Sequence, residues 1–523
     1  MSTATVATVS TTISPTNYDG GASLWELVER AAATRPSGLL AVDELDRRLT
    51  FGDYATRAKR VAAGLYAHGV RAGDVVSYML PTWIETAILC AALDRIGVVQ
   101  NPLLPIYRER EVGFITAQAR TSLMITPSVW RGYDYATLAR TAVRDTLVID
   151  RESPLPDGDP DTLPTFVSDP ERIAWIFYTS GTTADPKGVK HLHGALAAST
   201  VSMSSRMAIT DRDRAALAFP IAHIGGINWL MAGLIAGCAI ILVENFADAS
   251  TMPTLRRHGV TLAGVTTAFH LAYLAAQRSD PSTRLFPDVR AYPGGAAPKP
   301  PQLHYDLVNE VGGVGIVAGF GLTEYPMCAM AAITDASDKL AHTEGRPSDG
   351  TQFLVLGDTG QRVGLTIDGE IRIKGPHLFV GYVEAALDVD GFDEQGFFKT
   401  GDIGHLDEDG YVVITGRLKD VINRKGENIS AKEVEDLVYT HPKVADVAVI
   451  GLPDGDAGER VCAVVACVPG VDPLTFDEMQ THLRMQKLIT RKLPQQLEIV
   501  AVLPRNAAGK VQKHALREQF GRS

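Results

Sequence analysis

Apolar and polar positions along this chain follow two rhythms that repeatedly trade places. Residues 25–33 and 61–68 carry apolar side chains at helical spacing, the second run closing on Gly69. Residues 75–80 read as a buried strand, 85–96 as a helix and 98–101 as another strand. Helical periodicity interleaved with short β-rich runs predicts an α/β fold in layers with substantial parallel sheet. Short strands at 370–374 and 411–415, with 407–411 as a hairpin turn, predict a small β-rich lobe before residue 416. A third pattern follows: helix 431–440, strands 444–450 and 460–468, helix 476–487 and a last strand at 499–502. That segment has the makings of a separate α+β domain. The expected map is a flexible tail over 1–20, a large N-terminal domain over 21–416, a hinge over 417–420 and a small mobile C-terminal domain over 421–523.

The longest apolar run, 229–243, is broken by Gly233 and Gly237. It falls short of the roughly twenty residues that span a bilayer. It is therefore expected to be a buried helix ending near Gly237, followed by a strand. Residues 1–17 carry no charged side chain and lack the basic start and apolar block of a signal peptide. The 523 residues include 50 Lys+Arg and 61 Asp+Glu, a formal net charge of −11, with 45% hydrophobic residues. An acidic chain of that kind has ample core and a poor footprint for a nucleic-acid backbone. The five cysteines, Cys90, Cys238, Cys328, Cys462 and Cys467, show no C-x-x-C spacing. This argues against a disulfide framework or thiolate zinc site and points to a reducing, cytoplasmic setting.

Chemistry concentrates where the apolar run 173–178 feeds Thr179, Ser180, Gly181, Thr182, Thr183, Ala184, Asp185, Pro186, Lys187 and Gly188. Hydroxyls, backbone N–H groups and one ammonium can surround phosphate oxygens there. The order is not that of a Walker A loop. A solvated turn would use the same glycine, threonine and proline, so these residues alone leave both readings open. The G-x-G-x-x-A run from Gly313 to Ala318 leads into an apolar strand instead of opening a helix, which argues against dinucleotide binding. Neither H-E-x-x-H nor G-x-S-x-G occurs.

The segment from Thr179 to Thr183 with Pro186, Lys187 and Gly188 resembles the phosphate-binding signature of the adenylate-forming (ANL) superfamily, which comprises acyl-CoA synthetases, peptide-synthetase adenylation domains and beetle luciferases. Further matches follow in order: Gly319, Phe320, Gly321, Leu322, Thr323 and Glu324; Thr400, Gly401 and Asp402; Gly416 to Asp420, with Gly426 to Ile429 beyond it; and Pro504 to Lys510. Agreement in both order and spacing from 178 to 510 makes the resemblance specific, and the chain is identified as a member of the acyl-CoA synthetase branch.

The resemblance implies ATP, Mg²⁺ and coenzyme A as partners of a small carboxylic acid. Glu324, with Thr179, would hold Mg²⁺ against the ATP phosphates through hard oxygen ligands. Thr323 would support the α-phosphate, and Phe320, in place of the commoner tyrosine, would stack on adenine. Gly295, Ala296 and Ala297 lie in a turn where backbone approaches the adenylate. Asp402 would accept from both ribose hydroxyls, and Arg417 would add donors. Lys510 would stabilise charge developing on the α-phosphoryl and pyrophosphate oxygens. Rotation about Lys419 would then withdraw Lys510 and bring Gly426 and Glu427 to the pantetheine tunnel. His223 would flank the acyl carboxylate; it lies in a family segment that has Ala222 where phenylalanine is usual.

Acid–CoA ligation is the expected reaction. The alternative is an acyl-AMP ligase that loads a separate carrier protein; the chain ending at Ser523 leaves no room for a fused carrier. A regulatory homologue is disfavoured by the presence of both Glu324 and Lys510. The family pattern gives His223, Asn228, Trp229, Thr267, Phe269, Gly319, Tyr325 and Met327 as acyl-pocket candidates. None of them carries a fixed charge to pair with a second carboxylate or an ammonium. The expected substrate is therefore an apolar monoacid: medium-chain, alicyclic, aromatic or steroid-derived. Residues 101–113 also resemble the cyclohexanecarboxylate–CoA ligase subgroup. No membrane span or nucleic-acid partner is expected, and a homodimer is left open.

Overall fold

The computed structural model describes residues 22–179, 185–357, 359–506 and 509–521. The tail expected over 1–20 lies outside them, as do Ser180, Gly181, Thr182 and Thr183 of the phosphate loop. Alternation of helix and strand gives the expected layers. The helical run 61–68 is the end of a longer helix, Phe51–His68, capped by the Thr50 side chain and stopped at Gly69 with φ 114°. Such a left-handed stop suits a residue without Cβ. Among the described residues, one sheet runs Gly381–Tyr382, Lys187–Leu192, Ile173–Thr179, Val99–Pro102, Val75–Tyr78, Leu123–Thr126, Thr146–Val148. It is parallel from Ile173–Thr179 to Thr146–Val148. The apolar run 229–243 divides as expected into helix Ile224–Ala236, Gly237 at φ 80° and strand Ala239–Leu242 in a second sheet. Among the described residues no helix is long and apolar enough to cross a membrane.

A third sheet joins Tyr292–Gly294, Ile316–Leu322, Tyr325–Met330 and Arg346–Pro347. The β lobe is antiparallel: Gln352–Leu356, Gly369–Lys374, Phe398–Leu406, Val412–Arg417. After a short 3-10 turn, Leu418–Asp420, come the hairpin Val421–Arg424/Glu427–Ser430 and a three-stranded sheet backed by helices. Its last strand is Gln496–Val500, earlier than the expected 499–502. Parallel pairing with Glu459–Cys467 sets that register, from Cys462↔Gln496 to Ala466↔Val500, and leaves Val502 exposed beyond the ladder.

A buried ionic cluster anchors the strand that leads out of the phosphate loop. Asp94, with no exposed surface, accepts from His193 Nε2 and from Arg172 Nη2, each at 2.6 Å, and from the backbone N–H of Trp25 at 2.7 Å. Trp175 donates to His193 Nδ1, which places the imidazole proton at Nε2 facing the carboxylate. Burial alone would raise the Asp94 pKa; His193 and Arg172 outweigh it and hold it at about 2. A depressed carboxyl stabilises the fold above its unfolded value near 3.9 and loses that contribution as pH falls towards about 2. Asp94→Asn should destabilise the protein by about 3 kcal/mol at neutral pH, since it strands a buried partner. The gap in thermal midpoint between the two proteins should narrow as pH drops below about 4. A gap independent of pH would contradict this.

Candidate active site

The hairpin Ile173–Thr179/Lys187–Leu192 pairs Thr179 with Lys187, so both ends of the hydroxyl-rich loop stand at one edge of the large sheet. Gly188 is required here because a Cβ would lie 2.8 Å from the Tyr178 ring and from Val383. Exposed Lys187 places its ammonium 5.4 Å from the centre of the Tyr382 ring. The Tyr382 hydroxyl in turn donates to Glu324 Oε1 at 2.8 Å.

Glu324 and Thr323 are the two residues between strands Ile316–Leu322 and Tyr325–Met330, where Leu322 pairs with Tyr325. Burial pushes the Glu324 carboxyl above its ordinary pKa, and Tyr382, Lys187 and Arg417 offset this only in part. Among the described residues no cluster of three metal-ligating side chains exists. The single carboxylate of Glu324 fits Mg²⁺, which commonly binds through one or two carboxylates plus substrate phosphates and water.

Asp402 and Arg417 face each other across the last two strands of the β lobe, with Arg417 Nε 2.5 Å from Asp402 Oδ1. Nη2 stands 3.5 Å from Oδ2, which leaves that carboxylate oxygen weakly engaged. The C-terminal domain delivers Lys510 to this pair. Its amine is held down to about 8, mainly by burial and then by Arg417, with Asp402 and Asp420 opposing. Lys419, exposed in the 3-10 turn, is likewise lowered, by partial desolvation and by Arg417. Asp420 pairs with Arg517 of the last helix at 3.0 Å.

The lysine loop is braced before it meets the large domain. Asp446 holds Arg505 at 2.6 Å, and Arg505 Nη1 donates to the Gly509 carbonyl at 2.6 Å. Lys510 N–H donates to Asn506 Oδ1, and Asn506 N–H returns a bond to the Lys510 carbonyl. Gly509 has φ 79°, and a Cβ on it would lie 2.6 Å from Thr266 Oγ1 and 3.3 Å from Ala268. Gly509→Ala should therefore lower adenylation by on the order of tenfold or more, because a side chain there lifts the amine away from its target. Strain at this buried, left-handed position should also lower the thermal midpoint; equal adenylation rates would refute the reading.

His223 caps the helix Ile224–Ala236, its Nδ1 accepting from Gly225 N–H at 3.1 Å. The imidazole proton thus sits at Nε2, and burial lowers the ring to about 4, so it stays neutral. Thr267 donates to the Pro298 carbonyl at 2.7 Å and ties its helix to the turn holding Gly295, Ala296 and Ala297. Ala296 occupies φ 62°, a left-handed conformation uncommon outside glycine. Gly295 approaches the Gly319 carbonyl, with 3.1 Å from a would-be Cβ. Gly319 lets the Met327 and Met330 sulfurs close in, to 2.9 and 2.7 Å of the same construction. At Gly321 a Cβ would lie 2.1 Å from the Pro326 carbonyl, so the strand admits no side chain there.

The structure does not bring every expected residue to one place. Asn228 and Trp229 are buried within their helix, Asn228 donating to Ser199, and Phe269 packs on Phe246 at 4.2 Å between ring centres. Tyr325 has no exposed surface and shares a hydrogen bond with the Thr351 hydroxyl at 2.7 Å in the β-lobe core. Phe320 packs against that same core. Gly426 and Glu427 form the tip of a hairpin, where Glu427 pairs with Arg491 at 2.7 Å. Sequence reasoning gave no role to Tyr382, His191, Arg505 or Asp446. Only Arg505 carried a signal, its place in the C-terminal lysine motif.

The AMP-binding enzyme family matches residues 28–383, and its C-terminal domain matches residues 433–510. The chain belongs to this family and is an adenylate-forming ligase of the ANL superfamily. A medium-chain fatty-acid–CoA ligase of Escherichia coli (strain K12) is 27% identical over 520 residues, 96% of this chain and 91% of that protein. A salicyl-AMP ligase/salicyl-S-ArCP synthetase of Mycobacterium tuberculosis (strain ATCC 25618 / H37Rv) is 29% identical over 530 residues, 96% and 92% of the two chains. Among solved structures, the o-succinylbenzoate coenzyme A synthetase of Bacillus subtilis, in complex with ATP and magnesium ion, superposes with a TM-score of 0.77 at 27% identity, over 94% of this chain and 98% of that one.

Proposed function

We propose that the chain is an acid–CoA ligase acting on an apolar monoacid, and that the structure holds it in the arrangement for the first half-reaction. The observation that carries this reading is that Gly509, next to Lys510, packs against Thr266 and Ala268 of the large domain, which brings the Lys510 amine within electrostatic reach of Arg417, Asp402 and Lys419. In the first step an oxygen of the acid attacks the α-phosphorus of ATP, the bond to the β-phosphate oxygen breaks, and pyrophosphate leaves. The ammonium of Lys510 stabilises the negative charge that spreads over those oxygens, the principal task a protein has in phosphoryl-type transfer. His223 Nε2–H orients the carboxylate, Asp402 accepts from the ribose hydroxyls, and Thr179 to Lys187 enclose the outer phosphates. Glu324 with Thr179 would hold Mg²⁺, which would supply charge neutralisation. In the second step the thiolate of CoA attacks the acyl carbonyl, the bond to AMP breaks, and the small domain has turned about Lys419 to present Gly426 and Glu427.

Of the acyl-pocket candidates, Thr267 is tied to the turn holding Gly295 and Met327 closes on Gly319, and the absence of charge on either supports a monoacid without a second charge. A second reading, transfer of the acyl group to a carrier protein, is supported by the likeness to the salicyl-AMP ligase/salicyl-S-ArCP synthetase. A panel of carboxylic acids with ATP, Mg²⁺ and CoA, followed by AMP release and thioester mass, tests both. Thioester with free CoA supports the first reading. Acid-dependent pyrophosphate exchange without any CoA thioester supports the second, and no exchange with any acid would overturn adenylation itself.

A further inference from the structure

Between Leu322 and Tyr325 the chain reverses in two residues, Thr323 and Glu324. Two-residue hairpin loops favour turns with positive φ, because only those match the twist of the flanking strands. Neither Thr323 nor Glu324 has positive φ. The turn therefore lacks that built-in fit, and its carbonyls point into protein, where each needs a donor. Both find one from outside the hairpin. Phe379 N–H donates to the Glu324 carbonyl at 2.9 Å, and His191 Nε2–H donates to the Thr323 carbonyl at 2.7 Å. His191 lies on Lys187–Leu192, the strand leaving the phosphate loop, with no exposed surface and with its ring edge-on to Phe177. A carbonyl can only accept, so the proton sits at Nε2, and Nδ1 is buried without a partner. An apolar side chain would fill this interior position without leaving an orphan nitrogen. The one bond the imidazole makes is what the histidine contributes.

We infer that His191 is a positioning residue: it ties the strand behind the phosphate loop to the Thr323–Glu324 turn and so fixes the Glu324 carboxylate where the metal of Mg·ATP must meet it. The inference rests on the adenylation reading, but its test does not need turnover. Partners one bond removed from a metal-binding group typically change affinity or activity 10- to 100-fold when lost. Calorimetric binding of ATP is compared with Mg²⁺ present and with a chelator. His191→Leu should weaken Mg·ATP by on the order of tenfold or more and metal-free ATP, which meets the same turn without the metal, by much less. His191→Gln, whose amide can still donate to the Thr323 carbonyl, should restore most of the loss. Equal weakening of both nucleotide forms, unchanged Mg·ATP binding in His191→Leu, or no rescue by glutamine would each overturn the proposal. Should His191→Leu fail to fold, His191→Met takes its place with the same expectations. Failure of the acid panel would overturn adenylation without touching this comparison, which reads nucleotide binding alone.

Discussion

Lys510→Ala is expected to lower acid-dependent pyrophosphate exchange by on the order of 10²- to 10³-fold, the effect of removing one preorganised donor from a developing oxyanion. Thioester formation from supplied acyl-adenylate should stay at the wild-type rate, because by then pyrophosphate has gone and the lysine has no charge left to stabilise. The pKa of about 8 adds a signature in pH. A lowered lysine is charged below that value and loses its charge as pH rises through it, so kcat/KM for adenylation should hold near neutrality and fall above about pH 8. Lys510→Arg keeps a charge at all accessible pH and should remove that alkaline limb, whatever it does to the rate. Equal loss of both half-reactions in the alanine variant, or a limb that persists with arginine, would show that the amine does other work.

Lys419→Pro is expected to separate the two steps in the opposite sense. In this arrangement Lys419 lies inside the 3-10 turn Leu418–Asp420, whose torsions are close to those a proline ring imposes. The ring also disfavours helical torsion at Leu418, so some loss of adenylation is anticipated. A swing of the small domain, however, needs freedom at this backbone position, and a locked φ removes it. Thioester formation from acyl-adenylate should fall by on the order of 10²-fold, the scale at which reacting groups fail to align, and adenylation far less. The swing also has to break the bond from Ser430 Oγ to the Thr415 carbonyl, 2.6 Å across the hinge. Single-turnover measurement of each half-reaction checks this; similar rates for both would argue against alternation about Lys419.

Much of the site was legible in the chain because its chemistry sits in short segments that glycine makes recognisable. Gly188, Gly321 and Gly509 are where the backbone leaves no room for a Cβ or turns left-handed, and each flanks a residue assigned a role: Lys187, Phe320 and Lys510. The helix and strand pattern predicted the layers for a similar reason, since spacing along the chain fixes which face is apolar. Boundaries moved where a partner decided them, as at Gln496–Val500, whose register belongs to the strand beside it.

The sequence alone thus determined the class of catalyst and the order of its parts, and it put forward Glu324, Asp402 and Lys510 as site residues, because those depend on local motifs. Tertiary structure decided what holds them: Tyr382 on Glu324, His191 on the Thr323 carbonyl, Asp446 on Arg505 and Arg417 on Asp402. It also decided that Tyr325, expected in the acyl pocket, lies in the β-lobe core, and that Glu427 pairs with Arg491. Apart from the Asp402–Arg417 ladder pair, these contacts join positions roughly 60 residues apart or more. Hydrogen-bonding side chains at such separations carry no periodicity and no motif, so only the packed chain reveals their partners.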